Sequence, residues 1–121
     1  MLNSILVVED NAPLLDVLSD YLECIGYRVW QAHNADEAFA QLSDNTVDLV
    51  LTDAQMPGLH GLEFFSILHR NYNVPIMVVT GMYRDEARNW PGQAGIREVL
   101  FKPVDLKILH DKLQHTFQTL N

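Results

Sequence analysis

One cysteine, Cys24, stands among 121 residues, so no internal disulfide can form and a reducing cytoplasm is the expected compartment. Cys24 falls among apolar helix positions and is read as a buried thiol of the core. No apolar run is long enough to span a bilayer, and the start, Met1-Leu2-Asn3-Ser4, lacks the basic region of a secretion signal. Basic residues are scarce: 8 Lys and Arg against 16 Asp and Glu give a formal charge of −8. Such a surface repels the phosphate backbone and anionic membranes alike, which argues against direct binding to nucleic acid or membrane. A protein partner or a metal ion is the expectation. Internal repeats, low-complexity stretches and linkers are also missing. The length suffices for one compact domain with a core, so residues 1–121 are read as a single domain.

What the chain does have is a regular change of period. Short apolar runs at Ile5-Leu6-Val7-Val8, Val47-Asp48-Leu49-Val50-Leu51, Ile76-Met77-Val78-Val79 and Val99-Leu100-Phe101 read as strands buried on both faces of a parallel sheet. Arg28-Val29-Trp30-Gln31-Ala32 alternates, as an edge strand does. Between them the period is helical. Leu14, Leu18, Tyr21, Leu22 and Ile25 line a first helix that Gly26 ends. Ala35, Ala38, Phe39 and Leu42 line a second, with Asn34 and Glu37 spaced as a capping box. Leu62, Phe65 and Leu68 mark a third, and Phe64 is the phenylalanine expected to face water. Pro91-Gly92 interrupts Tyr83 to Ala94, so a short or broken fourth helix is expected. Leu106, Leu109, Leu113 and Phe117 mark the last, capped by Asp105. Five strands alternating with five helices predict a doubly wound, flavodoxin-like α/β domain of strand order 2-1-3-4-5. Its ligands bind beyond the carboxyl ends of the strands, between the first and third.

Polar residues sit where that rule points: Glu9-Asp10, Thr52-Asp53, Thr80 and Lys102. Each alone is an ordinary strand-end or turn residue. Together they bring three carboxylates to adjacent strand ends. Two charges about 4 Å apart repel by ~4 kcal/mol at an effective dielectric near 20, so the cluster needs cations. Lys102 supplies one positive charge, and a divalent ion with oxygen ligands, Mg²⁺ rather than Zn²⁺, suits the remainder. A metal, a carboxylate nucleophile, a lysine and a hydroxyl make up a phosphoryl-transfer set in which Asp53 attacks in line.

Val7-Val8-Glu9-Asp10-Asn11, Asp53-Ala54-Gln55-Met56-Pro57 with Gly61, Thr80-Gly81 and Lys102-Pro103 occur in that order. In this the whole chain resembles a bacterial response-regulator receiver domain. The resemblance implies that Asp53 is the phospho-acceptor and that Asp10 binds Mg²⁺ directly, with Glu9 acting mainly through water. The backbone carbonyl of Gln55 would be a further ligand. Thr80 would bond the phosphoryl group, and Lys102 would pair with Asp53 and then the phosphate, with a cis peptide before Pro103. It also implies a cytoplasmic signalling switch rather than an enzyme: a histidine kinase or histidine phosphotransfer protein as donor, and a homodimer or downstream effector as output. Gln55 and Met82, two places beyond Asp53 and Thr80, would flank the path of a hydrolytic water. Val99 stands where receivers commonly carry Tyr or Phe, His60 stands where an acid often precedes the glycine, and Phe101 is expected in the core.

Two readings of Trp90 stay open, an exposed partner anchor and a helix-end residue folded onto the core. The five histidines, His33, His60, His69, His110 and His115, show no metal-ligand spacing. Other functions fit less well. A haloacid-dehalogenase-type phosphohydrolase puts its nucleophile in an Asp-x-Asp motif after the first strand, where this chain has Glu9-Asp10. Flavodoxin needs a hydroxyl-rich phosphate loop there. A pseudo-receiver that binds without phosphorylation would not need the full set of acids, Thr80 and Lys102.

Overall fold

A computed structural model describes residues 2–56 and 59–120. Pro57 and Gly58 lie outside the described residues, as do Met1, Asn121 and the side chains of Met56, Leu59 and His60. The elements run β1 (Ser4–Val8), α1 (Ala12–Cys24), β2 (Arg28–Ala32), α2 (Ala35–Asp44), β3 (Leu49–Asp53), β4 (Gln55–Met56) and β5 (Leu59–His60). There follow α3 (Gly61–Tyr72), β6 (Ile76–Thr80), α4 (Arg84–Ala87), β7 (Ile96–Phe101) and α5 (Leu106–Thr119). Five strands form one parallel sheet in the order β2-β1-β3-β6-β7, the predicted doubly wound arrangement. β4 and β5 are a separate antiparallel pair, too short for the period of two to reveal.

Alternation along the central strands divides the core. Leu6, Val8, Val50 and Val78 face α2 and α3. Ile5, Val7, Leu49, Leu51, Met77 and Val79 face α1 and α5, meeting Leu15, Leu18, Leu22, Leu109, Leu113 and Phe117. β1, β3 and β6 are buried throughout, which is why they read as unbroken apolar runs. β7 was expected to be equally buried, but it is the sheet's second edge, and Val99, Leu100 and Phe101 are half-buried. β3 begins two residues later than its apolar run and extends to Asp53.

Caps fix the helix starts. Asn11 Oδ1 accepts from Leu14 N, with Pro13 in the first turn of α1. Asp105 accepts from Lys107 N and Ile108 N. Asn34 accepts from Glu37 N at 2.8 Å, but Glu37 reaches back to His33 N at 2.9 Å, one residue before the expected box partner.

Three side chains overturn the sequence reading. Cys24 is exposed, because it lies about 200° round α1 from the buried Leu22. Phe64 is fully buried, because α3 is packed on two sides and its ring meets Phe39 of α2 at 5.6 Å between centroids. Leu15 belongs to the buried stripe of α1, and Leu14, Tyr21 and Ile25 are its half-buried flank. Trp90 is folded onto the core, packed edge-on against Phe65 and beside Tyr83. It fills the space left where α4 stops after one turn.

Candidate functional site

The parallel register places all five strand ends at one edge. Val8 is level with Ala32 and Thr52, Asp53 with Val79, and Thr80 with Phe101. The residue that follows β1 is Glu9, held in line by its N–H to Ala32 O at 3.0 Å. Glu9 and Asp53 are buried, 2% and 6% exposed, and Thr80 is fully covered, while Asp10 points to solvent. Ligand oxygens of Glu9, Asp10 and Asp53 all come within 4.8 Å of one another. The sequence-predicted carboxylates are therefore brought together.

Lys102 Nζ bridges two of them, at 2.7 Å from Glu9 Oε1 and 2.9 Å from Asp53 Oδ2. The remaining oxygens are held by main chain: Asn11 N–H donates to Glu9 Oε2 and Gln55 N–H to Asp53 Oδ1. No ion pair reaches Asp10 among the described residues. Burial pushes the Glu9 carboxyl up from its ordinary value, and the charge of Asp53 adds to this; bonds from Lys102 and Asn11 only partly offset it. Burial draws the Lys102 ammonium down, but its bonds and charge contacts with Glu9 and Asp53 outweigh that and raise it.

Three carboxylates against one ammonium leave two negative charges, the requirement of a divalent cation. The donors are all oxygen and one side, at Asp10, is open to water, so the residues present fit Mg²⁺. Among the described residues no histidine joins such a cluster.

Thr80 Oγ donates to Met82 O at 3.0 Å and accepts from Met82 N at 3.1 Å, closing a turn at the sheet edge. Gly81 lies against the Lys102 side chain; a Cβ there would sit 3.7 Å from Lys102 Cβ. Gly61 has a steric reason to be glycine: a Cβ would come within 2.6 Å of Ala54 O, so its absence lets α3 close on the residue that follows Asp53. The peptide between Lys102 and Pro103 is cis. Sequence reasoning missed Asn11 as a main-chain donor to Glu9 and Arg84 as a neighbour of Lys102. The first was visible only as the last residue of the Val7-Val8-Glu9-Asp10-Asn11 string, and the second had no local signal.

The family model described as response regulator receiver domain matches residues 5–114. The chain is 32% identical over 116 residues to a cyclic di-GMP phosphodiesterase of Thermotoga maritima, covering 95% of this chain and 31% of that protein. It is 30% identical over 124 residues to the phosphate regulon transcriptional regulatory protein PhoB of Klebsiella pneumoniae, covering 100% of this chain and 54% of that one. The chain thus spans only part of the length of these relatives. A solved receiver domain (CheY-like) from Methanospirillum hungatei superposes with TM-score 0.90 at 28% identity, over 98% of this chain and 96% of that one.

Proposed function

Because this chain belongs to the response regulator receiver domain family, we propose that it accepts a phosphoryl group on Asp53 and switches conformation to control an output. The donor is a histidine kinase or a histidine phosphotransfer protein, and residues 1–121 act as one receiver domain. The observation that carries the reading is Lys102 Nζ bridging Glu9 and Asp53 while Asp10 stands open beside them.

In this reading a carboxylate oxygen of Asp53 attacks the phosphorus of a phosphoimidazole. The P–N bond breaks, its electron pair returns to the imidazole nitrogen, and the new P–O bond is a mixed acyl phosphate. Mg²⁺ bound by Asp10, Asp53 and the Gln55 carbonyl, and by Glu9 through water, would supply charge neutralisation for the transferring oxygens. Lys102 passes from the Asp53 carboxylate to a phosphoryl oxygen. Thr80 gives up the Met82 carbonyl and donates to another. The chemistry is confined to the domain's own aspartate, so it is a switch and not an enzyme acting on a separate product. Two relatives are longer proteins named as a phosphodiesterase and a transcriptional regulator. The output is accordingly assigned to a downstream effector or a second copy, with no direct contact to nucleic acid or membrane. No helix among the described residues is long and apolar enough to cross a membrane, in keeping with a cytoplasmic role.

Acetyl phosphate with Mg²⁺ should label the wild-type chain with an adduct labile to alkali and hydroxylamine. Asp53→Asn should remove the label. Label that persists in Asp53→Asn refutes the acceptor assignment, and a wild type that takes none returns the chain to a binding-only role.

A further inference from the structure

We propose that Arg84 is a positioning residue for Lys102, clamping its main chain from the segment that follows Thr80 at the end of β6. The inference rests on the reading of Asp53 as acceptor. Lys102 is held at both main-chain groups by one short segment: its N–H donates to Thr80 O at 2.9 Å, and its carbonyl accepts from Arg84 Nη2 at 3.3 Å. The Arg84 guanidinium also lies over the Phe101 ring, 4.8 Å from its centroid. Phe101 is half-buried and packed against one of the two core clusters, so its ring is anchored on that side.

A guanidinium can meet both demands at once, because it stacks through its flat face and donates from its edge. A lysine ammonium can do only one of these well. Arg84 begins a helix of one turn, α4, behind Tyr83 in the left-handed region at φ 60. Such a helix has little of its own to hold it, so the contact with Lys102 and Phe101 ties this loop to β7. No carboxylate competes for Arg84 among the described residues; the neighbouring Asp85 is paired with Arg88.

The consequence lies at the far end of the Lys102 side chain. Its Nζ meets Glu9 and Asp53 together, and the main chain of Lys102 sets where that reach begins; a misplacement of about 1 Å in such a site can cost as much as ~100-fold in rate. Arg84 therefore governs how well Lys102 is placed on the acceptor, although it touches neither carboxylate. It also offers a route from the site to α4 at the strand end, where Val99 supplies no ring and Phe101 does.

The test uses the full chain with acetyl phosphate and Mg²⁺. Arg84→Ala should slow labelling of Asp53 by about three- to tenfold, while Mg²⁺ affinity by calorimetry stays within about twofold. Arg84→Lys should recover only part of the rate. In a Lys102→Ala background, Arg84→Ala should change the rate no further, because the residue through which it acts is gone. Phe101→Leu, which keeps the strand but removes the ring, should give part of the Arg84→Ala defect. The Lys102 carbonyl carbon shift should move in Arg84→Ala and in Phe101→Leu. An unchanged rate in Arg84→Ala, or an equal loss in both backgrounds, overturns the proposal and leaves the acceptor reading standing. A wild type that takes no label overturns both.

Discussion

Met82 is 46% exposed and held beside Thr80 by two main-chain contacts, so its side chain does not fill the core. It stands next to the hydroxyl assigned to the phosphoryl group. Hydrolysis of an aspartyl phosphate needs a water in line with phosphorus, opposite the Asp53 oxygen. Gln55, exposed two residues beyond Asp53, can orient such a water through an amide that both donates and accepts. A thioether can do neither well. Slow autodephosphorylation is the expected outcome. Met82→Glu should speed loss of phosphate by ~10-fold, below the roughly 100-fold or more that a fully positioned acid–base group supplies, and Gln55→Ala should slow it. Phosphate release from purified labelled protein reads all three rates. Equal rates would mean that neither side chain reaches the water. At this scale the acids, Thr80 and Lys102 were legible because strand ends in a parallel sheet converge whatever the loops do. Phe64 was misplaced because a helix packed by two neighbours has a wider buried arc than its leucines alone describe, and Cys24 because it lies about 200° round α1 from Leu22, outside the buried arc.

The elements show where local pattern is enough and where it is not. The starts of α2 and α5 were readable from Asn34 and Asp105, since a cap depends on residues within one turn, whereas Asn11 at the start of α1 was not singled out as a cap. The path from Arg88 to Gly95 was readable only as an interruption. Its course depends on Trp90 reaching Phe65 and on Gly92 and Gly95 at φ 91 and 76, contacts and dihedrals with no local periodicity. The start of α2 gives an element-scale prediction. The Glu37 carboxylate is held below its ordinary value of 4.5 by bonds from the His33 N–H, the His33 ring and Asn34. A carboxyl lowered in the folded state adds stability above its unfolded value and loses it as pH falls through the folded one. Thermal melts between about pH 5 and 3 should therefore fall more steeply for wild type than for Glu37→Gln. Parallel curves would show that the cap bonds contribute nothing dependent on charge. The effect should be modest, because the pair is exposed and screened.

For the whole molecule, the order β2-β1-β3-β6-β7 is what makes the site possible. It sets the ends of β1 and β3 side by side and delivers Lys102 from the far edge strand, 49 positions after Asp53, onto both carboxylates. The same convergence makes the metal-free domain pay in self-repulsion, since Glu9 and Asp53 are buried and Lys102 is shared between them. Mg²⁺ should then stabilise the fold by mass action, by ~2.7 kcal/mol when its concentration is a hundred times its dissociation constant. For a chain of this length that is a rise of roughly 10 °C in melting temperature. Asp10→Ala removes the open, unpaired ligand. It should abolish most of the Mg²⁺ response and raise the melting temperature of the metal-free protein, because one of three crowded charges is gone. Melting curves of both proteins in EDTA and across a Mg²⁺ series separate the two effects. A full Mg²⁺ response in Asp10→Ala would put the ion elsewhere. A wild type indifferent to EDTA and to added Mg²⁺ would mean that Lys102 alone satisfies the cluster, and that the two uncompensated charges are tolerated through solvent at Asp10.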